Sequence, residues 1–145
     1  MEEMKVKRGD VWFAVLPLKP HSHVQGGTRP VLVYQADRIN EKSSVVNVLA
    51  ITSKIKRLDL PYHVKLPWTP GLVKRSMVLA EQAFTLDQSK LFNYRCTLSE
   101  DVMKQVDRAR RNVERGKPNP KQKRHRRRKT RYDSNDLMKK AKVKK

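Results

Sequence analysis

Short apolar, β-branched runs cut off by Pro, Gly or polar pairs set the rhythm of the chain up to Ser99. Residues 11–16 read as a first strand, ending at Pro17. Residues 31–34 read as a second, reached through Gly26-Gly27. Residues 45–51 (VVNVLAI) are the most continuous apolar stretch and predict a central strand buried on both faces. Residues 61–66 alternate and are closed by Pro67, and Pro70-Gly71 marks a turn. Residues 76–80 and 84–86 predict two further strands, with Glu81 and Gln82 at the end of the former. Helical turns are expected at 36–40 and 87–91. Many short strands with little early helix predict a mainly β fold, a small barrel.

The period changes after Ser99. Ser99 is a good N-cap, and Glu100 and Asp101 put negative charge in the first helical turn. Val102, Val106, Ala109 and Val113 then recur on one helical face. Arg110, Arg111 and Arg115 load the C-terminal turns, and Gly116 with Pro118 ends the helix. Its apolar stripe is expected to pack on the barrel and close the core.

Charge divides the chain in two. Of the 145 residues, with a formal net charge of +20, residues 117–145 hold 14 Lys+Arg against 2 Asp+Glu. A run such as KQKRHRRRK cannot bury enough surface to offset its chain entropy. Residues 1–116 are therefore expected to form one barrel domain with its helix, and residues 117–145 a disordered basic tail. So dense a cationic block attracts nucleic acid without reading its sequence. Cys96 is the lone cysteine, which rules out an intramolecular disulfide and a cysteine-rich zinc site. His21, His23, His63 and His125 are scattered, so no metal site is expected. With no apolar run of membrane-spanning length and no apolar N-terminal segment, no membrane partner is expected and the location is expected to be cytoplasmic.

The candidate chemistry centres on Gln25-Gly26-Gly27-Thr28-Arg29-Pro30. The glycines open backbone conformations closed to other residues, and Pro30 biases Arg29 towards an extended backbone. A planar, permanently charged guanidinium is thereby held where loop becomes sheet, a good place to grip a phosphate. An ordinary hairpin with one surface arginine fits the spacing equally well. Thr52 and Ser53 end the central strand. If the two strands pair antiparallel, Arg29 meets these hydroxyls, as an oxyanion forming at phosphorus requires.

These stretches resemble the MazF/PemK family of toxin endoribonucleases from type II toxin–antitoxin systems. The resemblance is carried in order by KRGDVWF (residues 7–13), QGGTRPVLV (25–33), AITSK (50–54), LPYHV (60–64), SMVLAEQ (76–82) and TLD (85–87). It covers about residues 5–115 and implies an SH3-like β-barrel (PemK-like) with a C-terminal helix, working as a homodimer without metal or other cofactor. It further implies cleavage of single-stranded RNA at short sequences. The 2′-hydroxyl attacks the adjacent phosphate, leaving a 2′,3′-cyclic phosphate and a 5′-hydroxyl. Carried over by motif, Arg29 and Thr52 are the catalytic pair, Gln82 contacts RNA, and Gln25 and Ser53 border the substrate groove. A cognate antitoxin would block that groove with an acidic segment. The loop departs from the family's usual Gly-Ser-Glu-Gln: Val24 replaces the glutamate and His23 the serine, which makes His23 a candidate acid/base group. A barrel toxin that binds DNA gyrase, and a basic RNA- or DNA-binding module, are the alternative readings.

Overall fold

The computed structural model describes residues 5–116, so the basic tail predicted for 117–145 lies outside the described residues. Six strands form one antiparallel sheet: β1 (Asp10–Leu16), β2 (Gly27–Val33), β3 (Val45–Thr52), β4 (His63–Lys65), β5 (Met77–Asp87) and β6 (Phe92–Thr97). Their order across the sheet is β4-β5-β3-β2-β1-β6. The sheet is barrel-like without closing, since β4 and β6 remain as edges. A short helix, α1 (Asp37–Asn40), and a 3-10 turn, Gln88–Lys90, fill connections, and α2 (Glu100–Arg115) ends the described chain.

Residues 45–51 form the predicted central strand because nearly every position has somewhere apolar to go. Leu49 and Ile51 join Leu32, Val11 and Val78 on one face of the sheet. Val46, Val48 and Ala50 join Val31, Val33, Trp12, Leu16 and Met77 on the other. A fully buried Leu, Ile or Val contributes about 1.5–3 kcal/mol each, so a one-residue register slip in β3 would be strongly disfavoured.

α2 covers the first of these faces. The Ser99 side chain accepts from the Val102 N–H as predicted, and Gly116 ends the helix in the left-handed conformation (φ +69°). Val102, Val106 and Ala109 are buried as the periodicity implied, Val113 is only partly so, and Met103 joins them. The helix is pinned at its flanks. Arg8 forks onto both oxygens of Asp107 (2.8 and 2.7 Å) and donates to the Tyr34 carbonyl. Asn112 donates to the Pro61 carbonyl at 2.8 Å.

Three elements differ from the sequence expectation. β2 begins at Gly27, so Arg29 lies within the strand rather than ahead of it. The two strands expected at 76–80 and 84–86 are one, β5, interrupted by a bulge. Its partner β3 advances from Leu49 to Ala50 while β5 moves from Ala83 to Leu79. β6 was not anticipated. Its residues are exposed or half-buried, as an edge strand's are, so no apolar alternation betrays it.

Candidate active site

β2 and β3 pair antiparallel with Val31 opposite Ala50 and Leu32 opposite Leu49. Continuing that register sets Arg29 across from Thr52, the juxtaposition the candidate chemistry requires. The Arg29 guanidinium donates from Nε to the Gly26 carbonyl (3.1 Å) and from Nη1 to the Ile51 carbonyl (3.4 Å). Two of its five N–H groups are thus spent on orientation, and three remain for an anion. Partial burial lowers the Arg29 pKa from its ordinary value. Thr52 is buried, and its Oγ1 accepts from the Lys54 N–H at 3.1 Å. That contact fixes the oxygen while leaving the hydroxyl proton free to be donated.

Arg29 and Thr52 line one cleft of about 460 Å³. Residues 22–26 of the loop that joins β1 to β2, His23 and Gln25 among them, also line it, as does Ser53. Gly26 explains how the loop is seated. A Cβ there would stand 2.5 Å from the Pro17 carbonyl oxygen, so only glycine lets the two ends of the loop touch. Gln82, thrown across the cleft by the β5 bulge, accepts from the Gln25 N–H through Oε1 (2.8 Å) and donates from Nε2 to the His23 carbonyl (3.1 Å). The structure therefore gives Gln82 a task that sequence reasoning missed: both ends of its amide hold the loop. The bulge is itself held, since Arg110 donates to the Ala80 carbonyl at 2.6 Å with its guanidinium over the Tyr34 ring.

Lys54, Lys56, His63 and Glu81 also line the cleft, and sequence reasoning did not place them there. His63 Nδ1 faces the carbonyls of Lys56 (3.2 Å) and Arg57 (3.0 Å), so that nitrogen carries a proton. Nε2 stands 3.3 Å from a Glu81 oxygen. The ring thereby holds a turn in which Arg57 takes a left-handed backbone (φ +53°). Only the pairing of β4 with β5, His63 opposite Leu79, could have revealed this neighbourhood.

Cys96 lies outside the cleft and half-buried, and burial pushes its thiol pKa up, the opposite of what a nucleophile needs. Among the described residues, no cluster of three or more His, Cys, Asp or Glu is placed to hold a metal. Among them too, no helix is long and apolar enough to cross a membrane.

A curled antiparallel sheet covered by one helix thus brings a partly buried arginine and a buried threonine to one cleft, which Lys54 and Lys56 also line. Residues 7–113 match the PemK-like, MazF-like toxin of type II toxin-antitoxin systems, and the chain belongs to that family. It is 42% identical over 107 residues to endoribonuclease EndoA of Bacillus subtilis, covering 73% of this chain and 91% of that protein. The fold is similar to crystalline MazF of Deinococcus radiodurans (TM-score 0.65, 26% identity, 79% of this chain and 100% of that one). It is also similar to an endoribonuclease solved with its cognate antitoxin from a mycobacterial species (TM-score 0.63, 21% identity, 79% and 99%).

Proposed function

We propose that this toxin is a metal-independent endoribonuclease that cleaves single-stranded RNA at the rim shared by β2 and β3. The 2′-hydroxyl oxygen attacks the adjacent phosphorus and the bond to the 5′-oxygen breaks. The products are a 2′,3′-cyclic phosphate and a 5′-hydroxyl, with no water consumed. Arg29 spreads its free N–H groups over the equatorial oxygens, where negative charge gathers in the transition state. A further N–H of the same guanidinium supplies the proton to the leaving 5′-oxygen. Thr52 donates to a phosphate oxygen, and His23 on the exposed loop accepts the proton that the attacking 2′-hydroxyl gives up. Gln25 and Ser53 border the bases, and Gln82 contacts RNA from the bulge that keeps the loop in place.

One observation carries the reading: Arg29 reaches to 3.4 Å from the Ile51 carbonyl, next to Thr52, in a cleft lined by both. A module that merely bound nucleic acid would need the charge but not the oriented hydroxyl. The same cleft, with Lys54 and Lys56 on its lip, would accept an acidic antitoxin segment. Phe92 and Tyr94, exposed on the open β6 edge, offer a surface to a second copy in a homodimer. Action on RNA and a lone thiol fit the cytoplasm.

The test is cleavage of an unstructured RNA with EDTA present. Cutting should persist in the parent chain and fall on the order of 10²–10³-fold in Arg29→Ala and in Thr52→Ala. Full activity in both variants, or abolition by EDTA alone, would defeat the assignment.

A further inference from the structure

The basic residues of α2 fall into two groups. Arg110 is turned inward, onto the Ala80 carbonyl, the Tyr34 ring and Glu114. Lys104, Arg108, Arg111 and Arg115 recur at i, i+4, i+7 and i+11, are all exposed, and among the described residues enter no ion pair. They form one stripe on the face opposite Val102, Val106 and Ala109. Stabilisation of the helix dipole accounts for Arg115 in the last turn but not for Lys104, Arg108 and Arg111, because that effect dies away beyond the last turn.

The stripe does not stand alone. A groove of about 290 Å³ runs between β4 and α2, lined by Lys65 on one side and Arg108 on the other. His63 lines both this groove and the Arg29–Thr52 cleft. At its far end the stripe reaches Arg115 and Gly116, where the sequence passes into a segment carrying 14 Lys+Arg and 2 Asp+Glu. From Lys54 and Lys56, past His63, over Lys65 and Arg108 to Arg115, cationic side chains thus follow one another from the cleft to the start of the tail.

We propose that the β4–α2 groove and the α2 stripe are a second RNA-binding surface, a phosphate track that holds the single strand as it leaves the cleft. The proposal deepens the ribonuclease reading by giving the enzyme a reason to prefer long RNA over short. Lys104 to Arg115 spans ~16 Å of helix, room for several phosphates of one strand. The contacts are to backbone, so the track adds affinity and no sequence preference.

The full chain is compared with a variant carrying Lys104→Gln, Arg108→Gln, Arg111→Gln and Arg115→Gln. A control removes four exposed charges elsewhere: Lys5→Gln, Arg38→Gln, Lys42→Gln and Lys90→Gln. Binding is measured against salt on a long unstructured RNA carrying 2′-O-methyl groups, which block cleavage. Cleavage is measured on a short oligonucleotide that fills only the cleft. The stripe variant should bind the long RNA at least ~10-fold more weakly, its log–log salt slope shallower by about 0.7 for each contact removed. It should cut the short substrate at the parent rate. Unchanged affinity and slope, an equal loss in the control, or a parallel loss of short-substrate cleavage would each overturn the track. A parent chain that cut nothing yet bound long RNA with a stripe-dependent slope would defeat the ribonuclease reading and support the track.

Discussion

The two walls of the cleft are made in different ways. The Arg29–Thr52 wall is set by strand register: the antiparallel ladder, continued two residues beyond Val31 and Ala50, places Arg29 and Thr52 at opposite positions, and both line the cleft. The opposite wall has no ladder. Its loop, residues 17–26, keeps its place through the Gly26 contact with Pro17 and through the Gln82 amide. Displacing the first wall requires breaking the core, whereas the second can be loosened by a single side chain. On the proposed reading, the chemistry common to every substrate belongs to the rigid wall and sequence preference to the adjustable one.

This difference can be broken experimentally in a graded way. Beyond the loss of activity expected of Arg29→Ala and Thr52→Ala, the largest effect belongs to Gly26→Ala. The added Cβ meets a backbone oxygen that cannot retreat without moving the loop. A cost of about 1–3 kcal/mol is expected, read as a lower Tm, with activity falling alongside it. Gln82→Ala removes two hydrogen bonds worth about 1 kcal/mol each, and should cut kcat/KM roughly 10-fold with a smaller change in Tm. Parent-like kinetics would show that the loop is held by other means. His23→Ala is expected to have the smallest effect, flattening the pH–rate profile through neutrality with under ~10-fold loss at its optimum. A profile already flat in the parent, and unchanged by the substitution, would remove His23 from proton transfer.

Legibility followed the same division. The β2 and β3 strands, the pairing that joins Arg29 to Thr52 and both caps of α2 could be read from residues, because apolar alternation, Ser99 and Gly116 act locally. Gln82 was marked, through the family resemblance, as an RNA contact, but its grip on the loop was not foreseen, since it depends on a bulge that no local propensity encodes. The breadth of β5 was missed for the same reason: Glu81 and Gln82 look like a strand end and prove to be a detour within a strand. His63 and Glu81 are 18 residues apart and meet only because β4 pairs with β5. β6 escaped notice because an edge strand buries little, leaving Phe92, Asn93 and Tyr94 exposed.

The hydrogen bond from Arg110 to the Ala80 carbonyl gives the molecule an order of assembly. A ribosome delivers the residues of β1 through β5 well before it delivers the middle of α2. Until that arginine arrives, the bulge carrying Gln82 lacks its brace, and the loop that Gln82 steadies lacks its anchor. Arg29 and Thr52 can be brought together early, but the loop beside them gains its anchor only after the middle of α2 has been made.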